Sequence, residues 1–180
     1  MEKKEIMDDG IFLFSVEKLS IEDPIKYLED KGICFDPLAR IILVKSSKAG
    51  WFKRIFSFEK KPAEKTKIAI LDSKHISGIG TKHTAEDVFE TVEKLNLLYP
   101  TPKLIFSVLE KLDAEDFIVD MKIDELVLLH KPVRIAGSNY VLNAHLSVDG
   151  CSYKVTIGAT YFFPKRKWEE KTGFVLEEKK

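Results

Sequence analysis

Two tripeptides carry the residue types of acid–base chemistry: His75-Ile-Ser77 and His145-Leu-Ser147, seventy positions apart. Within a β-strand, residues i and i+2 point to the same side, so each imidazole would share a face with a hydroxyl. Two such pairs can grip one phosphate. One imidazole then withdraws a proton from a 2′-hydroxyl or water while the other gives a proton to the leaving oxygen.

This doubled H-x-S pattern resembles the 2H phosphoesterases, whose two H-x-(S/T) motifs cut cyclic phosphodiesters and 2′-5′ linkages. The resemblance covers six residues plus a helix after the first motif. It implies a phosphodiesterase with His75, Ser77, His145 and Ser147 as the catalytic residues. The chain departs from the family in two places. Gly78 occupies a position usually apolar there, and no helix follows Ser147.

Other polar groupings are thinner. Asp72-Ser-Lys74 ends an apolar run as a metal-dependent nuclease half-site would, but that chemistry needs another carboxylate, with Asp36 a nominal candidate. Ile76-Ser-Gly-Ile-Gly80 faintly resembles a helix-hairpin-helix, whose amides hold DNA phosphate, yet the segment before it reads as strand. Gly78-Ile-Gly80 lacks the third glycine of a dinucleotide fingerprint. His75, His83, His130 and His145 have no zinc-type spacing among themselves or with the cysteines. Asp113–Asp116 and Asp120/Asp124/Glu125 read as solvated turns. No metal set and no cofactor is expected.

A binding surface is the stronger expectation. Trp51-Phe-Lys-Arg-Ile-Phe56 concentrates aromatics beside cations. Wound as a helix, Trp51, Phe52, Ile55 and Phe56 share a face, while Lys53 and Arg54 lie opposite and Lys48, Lys60 and Lys61 flank it. Such a face is buried against its own domain, a partner or an anionic lipid surface. The segment lies in an excursion, 46–66, longer than an ordinary connection, and 60–66 has linker composition. The leading expectation is therefore a non-enzymatic interaction protein with 48–61 as its contact surface. Its partner is expected to be a protein, with a peripheral anionic membrane the other surface; the phosphodiesterase is the alternative.

Composition sets limits on these readings. The chain has 180 residues, 44% hydrophobic and 32% charged, as in an ordinary globular protein long enough for one cored domain. Lys plus Arg and Asp plus Glu are both 29, so the basic field typical of a nucleic-acid binder is absent and no nucleic-acid partner is expected. No run approaches a membrane span, and the first residues have no signal-peptide pattern, which makes the cytoplasm the expected compartment. Cys34 and Cys151 are expected to be small buried thiols.

The positioning elements follow from periodicity and caps. Strands are expected at Ile11–Phe14, at 40–45, at 67–71 and at Glu125–His130. Ser20 should cap a helix carrying Ile25, Tyr27 and Leu28, stopped by Gly32. Thr84 with Asp87 should cap a helix whose stripe runs Val88, Val92, Leu95, Leu98 up to Tyr99-Pro100. Another helix, 103–112, should bury Leu104, Ile105, Val108 and Leu112.

The clearest pattern is a hairpin of 140–148 and 151–161 about the turn Asp149-Gly150. Folded there, it pairs Val148 with Cys151, Leu146 with Tyr153, Ala144 with Val155, Leu142 with Ile157 and His145 with Lys154. Gly173–Leu176 is expected as an edge strand. Together these give one α+β domain over 1–180, an antiparallel sheet with a long C-terminal hairpin packed by two or three helices.

Overall fold

A computed structural model describes residues 5–7, 11–17, 23–48, 65–73, 76, 83–111, 121–150 and 152–179. In chain order these form β1 (Glu5–Met7), β2 (Ile11–Glu17), α1 (Pro24–Asp30), β3 (Cys34–Phe35), α2 (Pro37–Lys48), β4 (Lys65–Asp72), β5 (His83–Thr84) and α3 (Ala85–Lys94). Then come β6 (Leu97–Leu98), α4 (Leu104–Lys111), β7 (Glu125–Ile135), β8 (Ser138–Asp149), β9 (Ser152–Tyr161), β10 (Lys167–Trp168) and β11 (Thr172–Glu178).

Eight strands form an open sheet in the order β1-β2-β4-β11-β7-β8-β9-β3, with β6 added at the end of β11. Alternate residues of the central strands feed two separate cores. Ile68, Ile70, Leu126, Leu128, Leu142 and Val175 face α1, α2 and α4. Ala69, Leu71, Val127, Leu129, Phe174 and Leu176 face α3 and Trp168. Helices thus cover both faces, which is why the central strands read as continuous apolar runs.

The sheet is mixed rather than purely antiparallel, because β11 runs parallel to β7 and β3 parallel to β9. Thr172–Glu178 is moreover not an edge. It lies between β4 and β7, and Phe174, Val175 and Leu176 are all buried. Gly173 sits where a Cβ would meet Ile123 Cδ1 at 2.6 Å, so any larger residue there forces buried side chains to shift.

The apolar run 40–45 is helix, not strand. Asp36 decides it: its carboxylate accepts from the Ala39 N–H and its carbonyl from the Arg40 N–H, just ahead of Pro37–Lys48. Ala39, Ile42 and Leu43 turn inward at helical spacing, leaving Ile41 and Val44 in solvent. Farther upstream, Asp23 caps α1 through the Lys26 N–H; Ser20 lies outside the described residues. The Thr84–Asp87 capping box forms as expected. Its helix ends at Lys94, however, because Asn96 takes a positive φ of 55° and the chain turns into β6, leaving Leu95 and Leu98 exposed. Helix α4 buries Phe106 and Leu109 as well as Leu104, Ile105 and Val108; Leu112 is outside the described residues.

The hairpin forms in a different register. Asp149 pairs with Ser152 around Gly150-Cys151, so Leu146 faces Val155, Ala144 faces Ile157, Leu142 faces Ala159 and His145 faces Thr156. A two-residue offset keeps every side chain on its face, so alternation alone cannot tell the two registers apart. Packing does: Val155 and Ile157 enter the core, while Val148 and Tyr153 are left in water. Gly150, with φ of 64°, supplies the left-handed residue of the turn. Leu146→Asp should lose more than about 3 kcal/mol in urea unfolding, because it removes a core side chain and buries an unpaired carboxylate.

His130 holds the irregular centre of the β7–β8 pair. The ladder breaks between Leu128 and Val133, across Lys131-Pro132, and the buried imidazole replaces it. Nδ1 donates to the Lys131 carbonyl at 2.8 Å and Nε2 accepts from the Leu142 N–H at 3.0 Å. Acceptance at Nε2 requires the neutral ring, and burial pushes its pKa down from 6.5 to about 4 although the bond to Lys131 works the other way. The unfolded chain takes up this proton below pH 6.5, whereas the folded chain holds it off. This stability is therefore complete above pH 6.5 and is lost as pH falls toward 4. Urea unfolding at pH 5.0 should show about 2 kcal/mol less stability from this group than at pH 7.5, a share that disappears in His130→Gln.

Candidate functional site

On the face of the sheet that α3 packs against, the apolar rows give way to polar side chains at one end. One row across the strands is Leu71, Phe174, Val127, Asn143 and Gly158; the next brings together Thr172, Glu125, His145 and Thr156. Asn143, His145 and Ser147 alternate along β8 and so share this face, as the H-x-S reading requires. His145 and Ser147 are exposed. Asn143 is only 3% exposed.

Three side chains meet at the centre. Asn143 Nδ2 donates to Glu125 Oε1 at 2.8 Å and lies 3.0 Å from His145 Nε2. His145 Nε2 and Glu125 Oε1 are 3.8 Å apart, too far for a direct hydrogen bond, so the amide bridges them. The Glu125 side chain is 16% exposed against 60% for His145, so the group runs from a sheltered carboxylate to an open imidazole. Glu125 is thus a strand residue at the heart of the group, not part of a solvated turn.

Behind this group stands Asp36. Its Oδ2 accepts from the Ala159 N–H at 3.1 Å and stands 2.9 Å from the point where a Gly158 Cβ would be. Asn143 Oδ1 is 3.0 Å from the same point and has no hydrogen-bond donor, although it is buried. Thr172 Oγ1, on the strand beside Glu125, is buried without a partner as well. Two buried polar atoms of this region, Asn143 Oδ1 and Thr172 Oγ1, are therefore without a hydrogen-bond partner.

The other expected residues fall differently. His75 and Ser77 lie outside the described residues. The strand that leads to them, β4, is three steps across the sheet from β8, about 14 Å. Trp51, Phe52, Lys53, Arg54, Ile55 and Phe56 also lie outside the described residues, beyond the end of α2 at Lys48. Asp36 does not join Asp72 in a nuclease site; it caps α2 at the far side of the sheet, five strand steps from β4. Among the described residues, no three His, Cys, Asp and Glu side chains gather as a metal set. Cys34 is exposed on an edge strand rather than buried, and Cys151 lies outside the described residues.

Sequence reasoning passed over Glu125 and Asn143. The signal was available for Asn143 in the alternation Asn143-x-His145-x-Ser147. For Glu125 there was none, since only the β7–β8 pairing places it opposite His145. No family model matches the chain, and no curated protein and no solved structure matches it.

The bridging role of Asn143 has a measurable consequence. Asn143→Ala leaves Glu125 without its amide donor and should cost about 1–3 kcal/mol. Ser147→Ala, at an exposed position on the same strand face, should stay within about 0.5 kcal/mol of the parent in the same urea titration.

Proposed function

We propose that this chain is a soluble, cytoplasmic, non-enzymatic interaction protein whose contact surface is the aromatic-basic stretch 48–61. The carrying observation is the outer side of α2, the helix that leads into that stretch. Ile41 and Val44 stand 43% and 45% exposed there, next to the exposed Lys45. This apolar pair and its cation stand on the last turns of the helix, separated from Trp51-Phe-Lys-Arg-Ile-Phe56 by Ser46-Ser-Lys-Ala-Gly50. Trp51, Phe52, Arg54 and Phe56 are of the residue types that protein contact surfaces enrich. Zero net charge argues against nucleic acid as the partner.

The alternative, a phosphodiesterase using His75, Ser77, His145 and Ser147, draws support from the shared face of His145 and Ser147. It ranks second because the chain departs from that family at Gly78 and, after Ser147, turns into β9 where the family has a helix. Turnover of a 2′,3′-cyclic phosphodiester that vanishes in both His75→Ala and His145→Ala would reverse this order.

Iodide quenching tests the contact surface directly. Trp168 is buried, edge-on to Phe174 at 5.7 Å, so the quenchable emission belongs to Trp51. The expected result is free quenching of Trp51, no fall in melting temperature for Trp51→Ala, and loss of the same cross-linked protein in Trp51→Ala and in Ile41→Ser/Val44→Ser. A protected Trp51 whose removal lowers the melting temperature would make the segment part of the protein's own core. A blue shift with anionic vesicles, weakening with salt, would transfer the surface to lipid.

A further inference from the structure

We infer that Asn143 is a proton-linked switch: its side-chain amide turns over when His145 takes a proton, and the turn is felt by Asp36 at the head of α2. This does not depend on the contact surface at 48–61 and rests on the geometry of the β7–β8 pair.

The turn follows from donors and acceptors. Asn143 Nδ2 stands 2.8 Å from Glu125 Oε1 and 3.0 Å from His145 Nε2. An amide nitrogen only donates, so Nε2 is the bare nitrogen of a neutral ring that carries its proton on Nδ1. A proton added at Nε2 sets two N–H donors against each other at 3.0 Å. The His145 side chain is 60% exposed, so water can deliver that proton.

A half-turn about Cβ–Cγ removes the conflict. Oδ1 then accepts from the Nε2–H, and Nδ2 takes the place that Oδ1 held. Oδ1 also comes to lie beside Glu125 Oε1, a repulsion that an imidazolium 3.8 Å from that oxygen offsets. A neutral ring supplies no such charge, so the amide keeps donating to Glu125. The arrangement of the amide therefore follows the charge of His145. The other charged groups around it are Lys154 on β9, opposite Ser147, and the Lys171–Asp124 pair at 3.4 Å; all three side chains are exposed.

The link to Asp36 follows from where Oδ1 lies. It is buried without a donor, 3.0 Å from the point where a Gly158 Cβ would be, and Asp36 Oδ2 is 2.9 Å from the same point. With the neutral ring, Asp36 has an amide oxygen for a neighbour; with the charged ring, it has an amide N–H. Asp36 also accepts from the Ala39 N–H at the start of α2 and from the Ala159 N–H on β9. Protonation at the open end of the group thus adds a donor beside the carboxylate that ties α2 to β9. Gly158, having no side chain, leaves the amide room to turn.

The test follows the isotopically labelled full chain by NMR from about pH 8 to about pH 5, the span over which histidines ordinarily change charge. At the alkaline end the His145 ring should show a bare Nε2 and a protonated Nδ1. As His145 titrates, the Asn143 NH₂ signals should shift with the same midpoint and gain an NOE to the Gly158 Hα that occupies the Cβ place. The Asp36 carboxyl ¹³C should shift in step. All of these changes should be lost in His145→Ala, which alters an exposed side chain and should leave the fold intact. An Asn143 amide whose signals hold still through the His145 titration would overturn the proposal. So would a neutral ring protonated on Nε2, since the amide would then be turned without any added charge. An Asp36 shift that persists in Asn143→Ser would overturn the link to Asp36, because the ring charge would be acting through space.

Discussion

The whole arrangement depends on burying both faces of the strands β4, β11 and β7. Each face alone would leave an apolar layer in water, so helices must arrive on both sides. Helices α1, α2 and α4 close one core, while α3 closes the other with Trp168. At about 25 cal/mol per Å² of apolar surface, this two-sided burial is the dominant favourable term, and the edges follow from it. Strands β1 and β3, at the two edges, are only three and two residues long. Gly173 shows how tight the middle is, with three apolar side chains already within 3.1 Å of the place a Cβ would occupy.

Within such a sheet, polar side chains are costly unless each finds a partner. His130 is fully satisfied: it substitutes for backbone pairing at a bulge and stays neutral to do so. Glu125, Asn143 and His145 are satisfied only in part. One amide spans two partners while its oxygen has none, and Thr172 Oγ1 beside them is likewise alone. The contrast separates a polar residue whose hydrogen bonds complete the sheet from a group that leaves buried polar atoms unpaired.

Helix α2 and the polar group lie on opposite faces of the sheet. Helix α2 crosses one face and keeps Ile41 and Val44 outward, so its outer side continues the composition of the basic-aromatic stretch. The polar group lies on the opposite face, between β7 and β9. Asp36 links the two, since its carboxylate caps α2 through Ala39 and also meets β9 at Ala159.

What the sequence determined by itself was local. The Thr84–Asp87 box, the strands at 11–14, 67–71 and 125–130, and the alternation that puts Asn143, His145 and Ser147 on one face are all set by neighbours within a few residues. The run 40–45 is helix although its own residues suit a strand, for a related reason. Four consecutive apolar residues suit either period, and the deciding signal, Asp36 ahead of Pro37, lay outside the run. Only the tertiary structure decided the rest. The hairpin register differs by two residues from that of an Asp-Gly turn, and because that offset preserves the faces, only packing of Val155 and Ile157 selects it. The central place of β11, its parallel run beside β7, and the meeting of Glu125 with His145 are pairings between distant segments. Periodicity records which side of a strand is apolar; it carries no information about which strand lies alongside.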